Sequence, residues 1–523
     1  MHFRLIALML SVSSALVGQA VAAEMFVPGD LIVTRSVYMG TAATVTVGQT
    51  LPGGGTAIAD GTYPNVFNNA KPDPSFGVTS PIFLDQLTTS GTLVNSLNVT
   101  AAAAAQGINV TTSFSSKSET AINLSTNVSA VTFMGYVANP GTLDVSNSNT
   151  PGVIDPTNPV PSAFYRVTAQ MNAMGKFTFT NTSAYSGNNG RAAILNDSGG
   201  SNLLYTSGNA GNGGTPQPDG IIVGAGAQIM NPSSQPLRRQ QPGSPTPVGS
   251  FNITQLGDKP DKVGKDTNFR GLTVFNNVVY FTKGSGGNGV NTVYFIDTTG
   301  TACPNGTGLP APGAALPTSP IAYDPSVLQT EGVTPYNMCI LPGFPTALKS
   351  TTSFPFGIWF ANANTLYVAD EGNGDNAFSA QTGTYSVAAG QTTAGLQKWI
   401  FNGTSWNLAY TVSAGLALGV PFTVPGYPTG DNAATGLPWA PATDGLRNIT
   451  GRVNRDGTVT IWAITSTVSG GGDQGADPNK LVTITDPVSA TSALSGESFQ
   501  TVQSARSGQV LRGVSFTPGT GTH

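Results

Sequence analysis

Residues 269–283, FRGLTVFNNVVYFTK, read as an apolar strand, a short polar turn and a second apolar strand. The same unit returns around the chain, each time starting near an Arg-Gly-like pair. Its second strands, rich in Tyr, Val and Trp, are VSAVTFMGYV (128–137), NLLYTSG (202–208), NVVYFTK (277–283), NTLYVAD (364–370) and GTVTIWAIT (457–465). Runs of β-branched and aromatic residues bounded by Gly, Asn and Ser are strand signals. Looser third and fourth strands follow: SAFYRVTA (162–169) and GKFTFTN (175–181), GIIVGAG (220–226) and SFNITQL (250–256), NTVYFID (291–297) and MCIL (338–341). The later pairs are LQKWIFN (396–402) with SWNLAYTV (405–412) and KLVTITD (480–486) with SFQTVQ (498–503). Earlier, PIFLDQL (81–87) and TLVNSLNV (92–99) suit a hairpin about Ser90-Gly91, and the alanine run 101–105 reads as a connector.

The first strands align on their opening residues Glu119, Arg191, Arg270, Phe356, Arg447 and Arg512, with gaps of 72, 79, 86, 91 and 65 residues. A propeller blade takes roughly 40–50 residues, and the surplus falls in Gly/Pro/Asn-rich insertions. The ends are informative. VLRGVSFTP (510–518) is a first strand with nothing after it, and GDLIVTRSV (29–37) is a second strand with no first strand before it. Joined, they complete a blade and close a ring, which removes exposed sheet edges. The pattern therefore predicts an all-β fold: a single propeller over 24–523, of six blades with about four strands each, closed by its terminal strands. Seven blades is the alternative if a long insertion (38–79 or 298–337) hides a degenerate one. A tandem of β-sandwiches would not explain the split unit, and a β-helix would repeat at a much shorter period.

Composition fits this picture. Charged residues are 9% and apolar ones 39% of the 523, which suits short strands and polar turns rather than a disordered chain. Residues 1–23 read as a signal peptide, with Arg4 at the positive start, an apolar core over 5–17 and Ala20-Val21-Ala22 as the cleavage site. Without Arg4 the formal charge moves from −4 to −5, which disfavours nucleic acid. No later segment is long and apolar enough to span a membrane. The expected location is secreted, periplasmic or at the cell surface. Cys303 and Cys339 are the two cysteines, flank the Pro/Gly-rich run 304–337, and in an exported protein are expected to form a disulfide worth about 3 kcal/mol. Sequons such as Asn98, Asn109, Asn252 and Asn448 occur near the frequency chance gives in so Asn/Ser/Thr-rich a chain.

GDLIVTRSV (29–37), SGNNGRAA (186–193), LPGFP (341–345), FPFGIWFANANTLYVADEG (354–372) and LRGVSFTPG (511–519) resemble segments of a family of uncharacterised exported bacterial propeller-like proteins. The units have the same order over nearly the whole mature chain. The resemblance implies export and the repeat count, and implies no catalytic residue.

The histidines are His2 and His523, so the body of the chain has none. That excludes a Ser-His-Asp triad, a Cys-His dyad and His-ligated zinc, copper or haem. No P-loop, Cys cluster or dinucleotide fingerprint is present. Two constellations remain. ADEGNGDN (369–376) sets Asp370, Glu371, Asn373 and Asp375 in a Gly turn, an oxygen-rich pattern that would suit Ca²⁺ as a cofactor. It lacks the EF-hand's Gly at the sixth position and Glu at the twelfth, and a plain polar loop is its bland reading. Asp473 and Asp477 in GGGDQGADPN (470–479) make a weaker version. The second constellation is the opening position of the first strands: Glu119, Arg191, Arg270, Phe356, Arg447 and Arg512. It takes four of the chain's twelve arginines. In a propeller these positions ring the central channel at one depth, where guanidiniums would hold a carboxylate, phosphate or sulfated sugar. The competing reading is structural, with each Arg tied to an Asp of a neighbouring blade such as Asp266, Asp444 or Asp370. The expected function is a non-catalytic binding or surface protein for an extracellular ligand. The alternatives are a Ca²⁺-dependent propeller hydrolase, lactonase- or phosphatase-like, for which only Glu119 and Asn448 stand at or beside channel positions, and a structural envelope protein.

Overall fold

Short strands buried on both faces must stack sheet against sheet, and the computed structural model shows six such sheets arranged as the blades of a propeller. It describes residues 26–521 except 41–43, 47, 53–55, 58–76, 153, 155–157, 159, 210–225, 233–248, 251–267, 285–289, 303–305, 319–337 and 348–351. Blade one joins the two ends of the chain. Its order from the axis outwards is Gln509–Phe516, Leu31–Val37, Ile82–Leu87 and Leu93–Asn98. The terminal strands pair antiparallel from Leu31 opposite Phe516 to Val37 opposite Gln509. Blades three to six each have four strands in chain order, with inner strands Gly190–Asn196, Phe269–Phe275, Pro355–Asn362 and Ala442–Val453.

Blade two departs from the repeat. Its inner strand is reduced to Asn123–Leu124, which covers one half of Ala130–Val137, while Val110–Ser113 covers the other half. The chain between them, 114–122, is thereby released towards the axis. The inner strands of blades two to six and one touch their neighbours all the way round. The core lies between adjacent blades. Leu31, Val33 and Phe516 of blade one, for example, pack on Trp462, Ile464 and Leu481 of blade six.

Expected and observed strands agree closely in blades one, four, five and six. The alanine run is not a bare connector: Val99–Ala104 is a short helix whose cap residue Asn98 accepts from the Ala101 N–H at 2.9 Å. Alanine has the highest helix propensity, and a capped turn suffices to use it. The strand expected at 162–169 begins instead at Arg166, and the weak third strand of blade three is Ala227–Met230. The signal peptide, Cys303, Asp266 and most of both long insertions lie outside the described residues. Cys339 is buried on Met338–Ile340, the outer strand of blade four. Among the described residues no helix is long and apolar enough to cross a membrane.

Candidate functional site

The six aligned positions do form a layer around the channel, and the backbone explains why their side chains point there. In each of blades one and three to six the ladder between first and second strand breaks at the aligned residue. The register skips Arg512, Arg191, Arg270-Gly271, Phe356-Gly357 and Arg447-Asn448. Such bulges free a residue from pairing and re-aim its side chain. The following residue meets the next blade at close range. A Cβ on Gly271 would lie 1.9 Å from the Phe356 carbonyl oxygen, and one on Gly357 would lie 2.4 Å from that of Arg447. Asn448 Oδ1 instead accepts the Val514 N–H at 2.6 Å, and Gly513 abuts Thr120. Ala121 bridges Ala192 and closes the circle. The glycine of each Arg-Gly pair is therefore required by backbone contact between blades. Opposite that residue stands a hydroxyl in three blades. Thr34, Ser207 and Thr282 donate to the carbonyls of Thr120, Arg270 and Phe356 in the next blade.

The four arginines have unequal partners. Arg512 is fully engaged: Nε donates to Ser36 Oγ at 3.1 Å, and its terminal nitrogens donate to the carbonyls of Ser113, Phe114 and Ser116. Arg270 bonds Ser118, pairs with Glu371 Oε1 at 3.1 Å and lies over the Phe356 ring. Arg191 donates from Nε to Asn189 Oδ1 at 3.1 Å and from Nη1 to Asn268 and the Phe269 carbonyl. Among the described residues the Arg447 side chain makes one polar contact, from Nε to Glu371 Oε2 at 3.4 Å. Among the described residues Glu119 takes no arginine directly. It accepts from Thr112 Oγ1, the Ser113 N–H, the Tyr136 hydroxyl and Asn189. Thr120, next to it, is held at φ 57, a strained value for a β-branched residue that fixes where Glu119 enters.

The carboxylate that Arg270 and Arg447 share is Glu371, expected from the sequence to serve a metal. The rest of that turn has other duties. Asp370 accepts the N–H groups of Phe354 and Gly372 and the Gln397 amide. Asn373 and Asp375 cap their own turn by accepting from Asp375 N and Ala377 N. These four side chains do not converge as Ca²⁺ ligands would, and among the described residues no three His, Cys, Asp or Glu are grouped to hold a metal. Asp477 accepts from the Tyr427 hydroxyl.

Residues 113–118 cross one end of the channel beneath this layer. They reach Arg512 of blade one, Asn189 of blade three and Arg270 of blade four, while Lys117 donates to Gln474 beside blade six at 3.0 Å. The opposite end is open. About three residues, roughly 10 Å, further along the inner strands lies a funnel of about 540 Å³ that draws residues from all six blades, among them Ile122, Ile194, Thr273, Trp359, Ile449 and Val514.

Burial dominates the electrostatics of the closed end. It pushes Arg191 well below the usual guanidinium value, lowers Arg447 and brings Arg512 to about 9. Guanidinium keeps its proton at neutral pH, so the shifts register an unmet demand for negative charge. Burial also raises Asp370 to about 7, against its two backbone N–H bonds, and Asp444 to about 6. Both folded values lie above the unfolded one, so their contribution to stability is full below about pH 4 and is lost as pH rises through 6 to 7. We expect the urea midpoint to fall between pH 5 and 8 by the equivalent of a few kcal/mol. Asp370→Asn, which cannot ionise, should flatten that slope, and a midpoint that rises across the range would contradict the assignment.

No protein-family model and no curated protein matches the chain. Among solved structures it is similar to the haemagglutinin-neuraminidase ectodomain of parainfluenza virus 5, at 10% identity over 75% of this chain and 73% of that one, TM-score 0.33. It is also similar to a thermostable family-43 glycoside hydrolase (10%, 74% and 94%, TM-score 0.29) and to apo AztD from Citrobacter koseri (10%, 85% and 97%, TM-score 0.25). At these values nothing about activity carries over to this chain.

The sequence found the layer positions and missed three of their determinants: Glu371 as the shared counter-ion, the crossing segment 113–118, and the hydroxyls of the second strands. The last had a signal, since Thr34, Ser207 and Thr282 recur at one place in the repeat.

Proposed function

We propose that this chain is a non-catalytic binding protein that holds a small oxyanion or carboxylate at the arginine layer of its channel. One observation carries the reading. Arg447 is 4% exposed, yet its Nη1 and Nη2 donate to no protein acceptor among the described residues. Arg191 Nη2 is in the same position. These nitrogens are left available, and a guanidinium pairs best with a planar or tetrahedral anion. Around them stand the cations Arg191, Arg270, Arg447, Arg512 and Lys117. Glu119 and Glu371 are the carboxylates beside them, each already engaged by its own donors. The hydrolase alternative would need Asp370, Glu371, Asn373 and Asp375 to turn towards a shared ion, away from the partners they have. The same proposal places the chain outside the cytoplasm, with residues 1–23 removed and Cys303 joined to Cys339.

The test is thermal melting in phosphate, sulfate or citrate against chloride at matched ionic strength. A bound anion at about a hundred times its dissociation constant stabilises by ~2.7 kcal/mol, which appears as a rise of a few degrees. Arg447→Gln should abolish the rise while shifting the melting point in chloride little. If none of the three anions raises the melting temperature, the site does not bind them and the reading is wrong.

A further inference from the structure

The funnel at the open end has a chemistry opposite to that of the arginine layer. None of the side chains lining it is ionisable. Its volume of about 540 Å³ falls within the usual range of small-molecule sites, about 300–1,000 Å³. Its wall includes the half-buried Phe275, the nearly buried Trp359 and Phe360, and the exposed residues Asn276 and Asn277.

Two of these features ask for a ligand. Trp359 is 8% exposed and packed against Gly451, where a Cβ would lie 2.7 Å from the indole. Its Nε1–H donates to no protein acceptor among the described residues, which leaves it available to a ligand. Asn276 and Asn277 sit side by side at the turn of blade four, at φ 47 and 60, exposed and with no side-chain hydrogen bond among the described residues. Asparagine tolerates this left-handed backbone, and the turn holds two amides at the rim. Beyond the stacked Phe275–Phe360 pair, 4.5 Å apart, lies a recess of about 190 Å³ that shares Phe275, Asn276 and Phe360 with the funnel and ends on Trp406.

We infer that the funnel is a binding site for the end of a neutral oligosaccharide, one ring in the funnel against Trp359 and the next over Phe275 and Asn276 towards the recess. Sugar rings present an apolar face to aromatic surface and hydroxyls that both donate and accept, as the amides and hydroxyls of the wall require. An ionised ligand would enter an uncharged wall with no counter-ion. A peptide adding as a strand needs a long free edge. The funnel takes only short stretches from each blade, the longest being 122–126 and 273–277.

The experiment is calorimetric titration of the full chain with maltotriose, cellotriose, xylotriose and N-acetylated chitotriose, with trigalacturonate and triserine as charged and peptide comparators, all in saturating phosphate. We expect one or more of the neutral trisaccharides to bind at a single site, without dependence on sodium chloride, and to change the tryptophan fluorescence. Trp359→Phe should weaken binding about tenfold, or ~1.4 kcal/mol. The exposed-rim variant Asn277→Asp, which the fold should tolerate, should weaken it as well. Arg447→Gln should leave it unchanged, so a failure here is separate from a failure of the anion site. The inference is overturned if no neutral trisaccharide binds, if trigalacturonate or triserine binds instead, or if binding survives both Trp359→Phe and Asn277→Asp intact.

Discussion

Deleting residues 508–523 is expected to abolish cooperative unfolding. The segment supplies the inner strand of blade one, which pairs along the whole of Leu31–Val37. It also ties the start of the chain through Thr517, which donates to the Val27 carbonyl, and Thr520, which accepts from the Gly29 N–H at 2.7 Å. Leu511, Val514 and Phe516 are each no more than 1% exposed. Three such side chains contribute roughly 4–9 kcal/mol of burial, against a total stability of about 5–15 kcal/mol for an ordinary fold. The loss would also open the ring and leave the inner edge of Leu31–Val37 unpaired, an invitation to aggregate. Circular dichroism and calorimetry of the truncated protein decide it. A sharp transition at the full-length temperature would mean that the ring does not depend on its closing strand.

The second large effect separates arginines that hold the fold from arginines that have capacity left. Arg512→Met removes the donors to Ser36 Oγ and to the carbonyls of Phe114 and Ser116, all at or near the closed end of the channel. Each buried acceptor left without a partner costs about 1–3 kcal/mol, so the variant should lose roughly 3–9 kcal/mol in denaturant titrations. It should also loosen 113–118, which would show as faster amide exchange there. Arg447→Gln, which gives up a single contact at 3.4 Å, should cost about 1 kcal/mol or less. Equal losses in the two variants would show that the partner count does not describe the layer.

Much of this was legible in the chain itself, and the boundary of legibility has a physical cause. Strand periodicity, turn residues and the split unit at 29–37 and 510–518 are local signals or simple repeats of them, and they gave six blades. The layer positions could be aligned because each stands beside a small or short residue that the next blade touches. What could not be read was the partner of each side chain. Glu371 looked like a metal ligand because its sequence neighbours are Asp370, Asn373 and Asp375. In space its neighbours are Arg270 and Arg447, which are 101 and 76 residues away. Segment 113–118 carried no signal of its own, because nothing local marks a chain that crosses an axis. It does so because blade two has only Asn123–Leu124 for an inner strand. The funnel was invisible for a related reason: its lining is assembled a few residues at a time from six distant parts of the chain.

The bulge in the inner strands of blades one and three to six has a consequence for how such a protein can change. A residue outside the ladder can be exchanged without altering the pairing of the blade that carries it. The chain already displays this freedom, since Phe356 occupies in blade five the slot that arginine fills in blade four. The neighbouring residues Gly271, Gly357 and Gly513, pressed on the next backbone, have no such freedom. The channel floor therefore behaves as a set of sockets on a fixed frame. Its charge could be rewritten at the positions with few partners, such as that of Arg447, by mutation over generations or by a designer in one step, while Arg512, tied to Ser36 and the crossing segment, stays as part of the frame.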